Sequence, residues 1–247
     1  MLDRVRHNAR RFRRQGFYVS PPAQVVRASV GGEPVFFTVA NPEDAIQKEH
    51  FRGRFYETEE LEIIRRHFPP GGRFCDIGAN VGNHSLFVGK VLKASRIVLF
   101  EPNPQAIEIL ESNIYLNGLE HVCDRRHLGV GLSDAASEGH ALRVRRDNLG
   151  GARLLPGEGG DIRVEVGDAL LDGQDFDMFK IDVEGMEIGV LRGLSALIRR
   201  SRPKIFVEVE NANAQAFQEL AEEYGYAIVE RFQRYRRNVN YLLEPRA

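Results

Sequence analysis

The chain has 247 residues, 43% hydrophobic and 28% charged, with 34 basic side chains against 35 acidic ones. That is enough for one α/β domain with a modest extension; the even charge balance argues against a nucleic-acid footprint, and no apolar run approaches the ~20 residues that span a bilayer. Two cysteines, Cys75 and Cys123, build no disulfide framework, and the first residues lack the apolar core of a secretory signal, so a reducing cytoplasm is the expected location.

The N-terminus is basic, with Arg4, Arg6, Arg10, Arg11, Arg13 and Arg14 against Asp3. Contact with an acidic membrane surface is one reading, but the apolar face of Leu2, Val5 and Phe12 is thin, which favours a solvated terminus. Two β-type runs, Gln24–Val30 and Val35–Val39, flank Gly31-Gly32 and read as a hairpin. Asn41-Pro42-Glu43-Asp44 reads as a helix N-cap followed by Pro and first-turn acids. Thr58-Glu59-Glu60-Leu61 has the form of a capping box, with Leu61, Ile64 and Phe68 at helical spacing.

From Phe74 onward strand and helix alternate, which predicts a parallel, doubly wound sheet. Phe74–Ile77 is the first core strand, Arg96–Phe100 the second, His127–Leu132 the third, Met178–Ile181 the fourth and Pro203–Glu210 the fifth. Helices follow Gly82, Pro104, Gly185 and Asn211. Ala141–Arg145 and Ile162–Val166 alternate in period two around a glycine-rich stretch, Asn148–Ala152. They predict an inserted antiparallel pair with a mobile loop. Two late strands, near Ala227–Val229 and Val239–Leu243, are expected to close one sheet edge antiparallel.

The most informative segment is Phe74-Cys75-Asp76-Ile77-Gly78-Ala79-Asn80-Val81-Gly82-Asn83, a buried strand running into a glycine turn and a helix. Such turns lie at the carboxyl ends of strands, where open α/β sheets bind ligands. Asp76 is unsuited to an anionic pyrophosphate but suits a cation, so S-adenosylmethionine is preferred over NAD. Glu101, at the tip of the next strand and roughly 20 residues on, stands where Rossmann-like sites place the acid that binds ribose hydroxyls.

These residues, with Phe55-Tyr56-Glu57-Thr58-Glu59-Glu60-Leu61, Phe100-Glu101-Pro102-Asn103-Pro104, Gly131-Leu132-Ser133-Asp134 and Phe179-Lys180-Ile181-Asp182-Val183-Glu184-Gly185-Met186-Glu187, resemble the FkbM family of S-adenosylmethionine-dependent methyltransferases. The resemblance covers about residues 50 to 215. It implies a class I methyltransferase fold, with a seven-stranded, mostly parallel sheet and one antiparallel strand. It also implies O-methylation of a hydroxyl on a sugar, glycan or secondary metabolite. Residues 1–56 are then an N-terminal extension and 57–247 the methyltransferase domain.

In that pose Gly78, Asn80 and Gly82 admit the methionine part of the cofactor, Asp76 lies near its ammonium, and Glu101 binds the ribose. Ser133 and Asp134 lie near the adenine edge, and Glu57 reaches in from the preceding helix. Asn83, Pro102, Asn103 and Asp182 complete the cofactor-binding candidates. Asp182 and Glu184 sit two apart at the end of the fourth strand and share a face, with Lys180 deeper on that face; these three are the catalytic candidates. Asp182 serves as base, as ion ligand, or as a hydrogen bond fixing the loop. Asp182, Glu208 and Glu210 form an all-oxygen set that suits Mg²⁺, although no motif spacing demands a metal. His84 is a second base candidate, with a packed or capping histidine the commoner case. Arg234, Tyr235, Arg236 and Arg237 form a basic turn suited to an acidic sugar or phosphate, or simply a solvated turn. The competing readings are an NAD-dependent oxidoreductase or epimerase and a non-catalytic binding module on the same fold.

Overall fold

The computed structural model describes residues 23–145, 148–155, 157 and 159–246. The basic N-terminal segment therefore lies outside the described residues. In chain order the elements are β1 (Gln24–Val30), β2 (Glu33–Val39), α1 (Ala45–Phe51), α2 (Thr58–His67), β3 (Arg73–Ile77), α3 (Asn83–Lys90), β4 (Arg96–Phe100), α4 (Pro104–Asn117), β5 (Cys123–Asp124), β6 (Val130–Ser133), β7 (Ser137–Arg145), β8 (Asn148–Leu155), β9 (Ile162–Val166), α5 (Gly167–Leu170), β10 (Met178–Ile181), α6 (Glu187–Gly193), α7 (Ser195–Ser201), β11 (Lys204–Glu210), α8 (Ala214–Glu223), β12 (Tyr226–Phe232) and β13 (Asn238–Pro245).

Seven strands form the main sheet in the order β12-β13-β11-β10-β3-β4-β5. The pairings from β11 to β5 are parallel, whereas β13 runs antiparallel to both of its neighbours. Strands buried on both faces need apolar residues on both parities. Cys75, Ile77, Val98, Phe100, Phe179 and Ile181 pack to one side with α6, α7 and α8. Phe74, Ile97, Leu99 and Met178 pack to the other with α2 and α3. Asp76 and Lys180 interrupt this second face as parallel-register neighbours.

The third core strand differs from the sequence expectation. Cys123–Asp124 takes that place beside β4, and Leu128 makes only an isolated parallel bridge to Glu101. Gly129 then turns the chain at φ +91°, and β6 pairs with β9 in a separate four-stranded sheet ordered β6-β9-β7-β8. Strand β7 does pair antiparallel with β9, but through Ser137 and His140; the expected stretch Ala141–Arg145 pairs with β8 instead. The glycine-rich stretch, however, is strand β8, hydrogen-bonded along β7, rather than a mobile loop.

The hairpin of β1 and β2 turns at Gly31-Gly32 as expected. It is fastened to α4 through Asn113 and Asn117, whose side chains bond the backbone of Thr38 and Phe36. Two helix starts differ from expectation. Asn41 forms a local turn by accepting from Glu43 N, and Asp44 is the N-cap of α1. Helix α2 begins after Glu57, which is left-handed at φ 55° and gives no side-chain cap. The main sheet thus has its carboxyl edge covered by the four-stranded insertion and by α1, and the candidate site lies beneath them.

Candidate functional site

The site is built first by the turn that follows β3. Gly78, Asn80 and Gly82 all have positive φ (82°, 50° and 89°). A Cβ on Gly78 would stand 1.8 Å from the Asp182 carbonyl oxygen, so only glycine lets this turn lie against the end of β10. Gly78 N and Ala79 N both donate to Phe100 O at 2.9 Å, which ties the turn to the tip of β4. Glu101, at that tip, accepts from Asn80 N and Asn103 N, each at 2.7 Å. Burial pushes its carboxyl up to about 7, against the pull of those two N–H groups.

Glu101 lines a narrow cavity of about 60 Å³ whose walls include Phe100, Leu132, Leu149, Leu154 and Met186. Each Glu101 oxygen uses one lone pair on the backbone, leaving acceptor capacity for two hydroxyls. A largely apolar slot with Glu101 on its wall, and Asp182 and Glu184 where it meets the next cleft, suits an adenosine, and the glycine turn beside it is a cradle that any side chain at Gly78 would fill. The residues present therefore fit S-adenosylmethionine.

A second, larger cleft of about 540 Å³ adjoins the first. The two share Gly78, Asn80, Gly150, Asp182 and Glu184. The larger cleft also holds Glu57, His84, Lys180 and Glu208. Lys180 Nζ donates to Gly78 O at 2.6 Å and lies 3.3 Å from Asp76 and 3.6 Å from Asp182. Its burial opposes the charge, but Asp76, Asp182 and Glu57 outweigh it and hold the ammonium above its ordinary value. Asp76 is wholly enclosed, with Ser85 Oγ donating to its second oxygen at 2.5 Å.

Of the remaining acids of this cleft, Glu184 meets Arg237 at 3.0 Å, while Glu57 and Glu208 have no Lys or Arg within salt-bridge distance among the described residues. Burial, then repulsion from Asp182, pushes Glu57 to about 8, Glu184 to about 7 and Glu208 to about 9. His84 shows the reverse: burial, then the Lys180 ammonium, lowers its imidazole to about 3. Its Nε2 is buried without a hydrogen bond, 3.9 Å from Glu57. Glu57 and Glu184 are both non-glycine residues in the left-handed region, a conformation that costs of order 1–3 kcal/mol and clusters at functional sites.

The structure brings Glu57, Gly78, Asn80, Asn83, Glu101, Pro102, Lys180, Asp182 and Glu184 to these two cavities. Asn103 stands behind Glu101 as the N-cap of α4, and Gly82 packs on Leu110. Asp76 lines neither cavity; it is the counter-ion beneath Lys180. Ser133 and Asp134 also line neither. Ser133 packs against α6, where a Cβ on Gly189 or Gly193 would strike it. Of the metal candidates, Asp182 and Glu208 come together with Glu184, all within 4.8 Å of one another. Glu210 is drawn away by Arg153 and Arg237. Tyr56 and Leu149 were not foreseen. Leu149 reaches the cavity because its N–H donates to Asp44 Oδ2 at 2.7 Å, joining β8 to the cap of α1; no periodicity announces so distant a contact.

Strand order, the glycine turn at the edge of β3 and the acid at the tip of β4 define a class I methyltransferase. In fold the chain is similar to the crystal structure of methyltransferase FkbM from Methylobacillus flagellatus KT, with a TM-score of 0.50 at 17% identity over 80% of this chain and 52% of that one. The Methyltransferase FkbM domain matches residues 76–235, and the chain belongs to that family of S-adenosylmethionine-dependent methyltransferases. It is 28% identical over 186 residues to Methyltransferase sdnD of Sordaria araneosa, covering 60% of this chain and 68% of that protein. It is 26% identical over 183 residues to Methyltransferase 1 of Beauveria bassiana, covering 64% and 72%.

Proposed function

We propose that the protein methylates a hydroxyl group on a small polar acceptor, a sugar or secondary metabolite, with S-adenosylmethionine as donor. The observation that carries this reading is the junction of the two cavities at Gly78, Asn80, Gly150, Asp182 and Glu184. One side fits an adenosine; the other presents carboxylates to an acceptor. S-Adenosylmethionine supplies an electrophilic methyl group on a sulfonium. The chain's task is to hold the acceptor oxygen in line and to take its proton as the new bond forms.

Asp182 is the candidate for that proton, because it stands at the junction and is held by Lys180. Lys180 is in turn held by Asp76 and Gly78 O, so it is a positioning residue. Glu184 and Glu208 bound the acceptor side. The four-stranded insertion, through Leu149 and Leu154, shields the adenosine side from water. The alternative of an NAD enzyme shares the turn and Glu101. The enclosed Asp76 opposes an anionic cofactor only through the acidic field it shares with Glu57, Asp182 and Glu208, and not by contact.

The test is thermal unfolding with S-adenosylhomocysteine, with NAD and with neither. A ligand at 100 times its Kd adds ~2.7 kcal/mol, several degrees in Tm. A shift with S-adenosylhomocysteine alone, lost in Glu101→Ala while the variant stays folded, supports the assignment. A shift with NAD alone overturns it.

A further inference from the structure

The turn between β12 and β13 lines one side of the acceptor cleft, and from Arg234 to Arg237 every side chain but one is fastened. Arg234 is paired with Glu59 and Glu60 on α2, at 2.6 and 2.5 Å. The Tyr235 hydroxyl is bonded to that of Tyr56. Asn211, after the end of β11, bonds the backbone carbonyls of Arg236 and Arg237, at 2.7 and 2.9 Å. The Arg237 guanidinium is 3.0 Å from Glu184. Only the Arg236 side chain has no partner among the described residues, and it lines the cleft.

A surface arginine is ordinarily free to bend to the nearest acid. Here the acids paired around the turn are engaged, Glu59 and Glu60 by Arg234, Glu210 by Arg153, and Glu184 by Arg237, while Glu57, Asp182 and Glu208 line the same cleft without an arginine partner among the described residues. The backbone is held on both sides, so Arg236 stays on the lining of a cleft of about 540 Å³, and a ligand has to order its side chain alone. The cleft is therefore polarised. Asp182 and Glu208 lie on its inner side, where a hydroxyl is wanted and an anion would be repelled. A planar, permanently charged donor stands at its rim, where a carboxylate or phosphate would be held bidentately.

We infer that the acceptor is an anionic one, bearing a carboxylate or phosphate that Arg236 binds at the rim while its hydroxyl points inward to Asp182. This rests on the acceptor-site reading above and narrows it to acidic sugars and their phosphorylated counterparts. Arg236 is then a specificity-determining residue that touches neither the cofactor cavity nor the transferred proton.

Matched sugars test it on the full chain saturated with S-adenosylhomocysteine. Binding of glucuronate and glucose 6-phosphate is measured against glucose by calorimetry, and galacturonate against galactose. The expected result is that at least one anionic member binds about ten- to a hundredfold tighter than its neutral partner. The glucuronate and phosphate arms tell which anion is preferred. Arg236→Ala should abolish that preference, Arg236→Lys should restore part of it, and S-adenosylhomocysteine affinity should stay unchanged in both. Neutral sugars binding as well as acidic ones, no anionic sugar binding at all, or an undiminished preference in Arg236→Ala each overturns the inference. Failure of S-adenosylhomocysteine itself to bind is a separate result, and it is the methyltransferase reading that then falls.

Discussion

The narrow cavity proposed for adenosine and the wider cleft proposed for the acceptor are built from the same strand ends and share five residues, yet they hold charge in opposite ways. In the first, one carboxylate, Glu101, is answered by two backbone N–H groups at 2.7 Å. Backbone donors cost no further side chain, so the slot around Glu101 stays largely apolar up to the shared Asp182 and Glu184. In the second, one ammonium, Lys180, is shared by Asp76 and Asp182, while Glu57 and Glu208 are left to burial and mutual repulsion. A site satisfied by backbone is complete by itself; around Lys180 the inner acids Glu57 and Glu208 lack a cation, while Arg236 and Arg237 stand on another part of the same lining.

The largest expected effect comes from removing that lysine. Lys180→Met leaves the enclosed Asp76 without its ammonium, and breaking a buried pair costs about 3–5 kcal/mol. The denaturant midpoint should fall accordingly, and the double variant with Asp76→Asn should recover part of the loss because both charges leave together. A single variant as stable as the parent would show that the pair does not hold the two strands as described.

Gly78→Ala comes next and attacks the junction itself. The new methyl would meet the Asp182 carbonyl, in a backbone conformation that costs an L-residue roughly 1–2 kcal/mol. β3 and β10 must part, so S-adenosylhomocysteine affinity should fall at least about tenfold, a loss of ~1.4 kcal/mol. Calorimetry showing parental affinity would place the cofactor elsewhere than the shared wall.

The third effect is one of pH, and it is spread over several groups. Glu57 and Glu208 are raised to about 8 and about 9 from 4.5, so the folded protein keeps protons that the unfolded chain has released. Their contribution to stability is therefore full below pH 4.5 and is lost as pH rises towards 9. His84 and His50 are lowered from 6.5 to about 3 and about 4, burial leading in both, and their contribution is lost as pH falls below 6.5. Above pH 6.5 the acids act without that opposition. Unfolding free energy of the unliganded protein should decline from pH 6.5 to 9, each group contributing up to about 1.4 kcal/mol per pH unit. Glu208→Gln should flatten the decline; equal slopes in the two proteins would mean that Glu208 does not carry the raised proton.

The glycine turn and Glu101 were legible because each depends on a local pattern: an apolar strand, a positive-φ turn, an acid at the next strand end. Lys180-Ile181-Asp182 was legible for the same reason. What misled was an equally local pattern without its partner. His127–Leu132 is apolar enough for a core strand, but Gly129 and the pairing offered by β9 carry β6 into the second sheet. Asn148–Ala152 has the composition of a loop, yet β7 on one side and Asp44 on the other order it as a strand. Asp76 was expected at the ligand because its sign was right; the strand register instead set Lys180 beside it.

By itself the sequence determined the alternation that builds the sheet, the glycine turn after β3 and the acid types available, since these follow from side-chain period and from glycine's access to positive φ. Only the tertiary structure decided which acids face a cavity, which are neutralised, and which single arginine of a basic turn is left free. Those outcomes depend on distances between residues 100 or more positions apart, such as Lys180 to Gly78 O and Arg234 to Glu60, which no local pattern encodes.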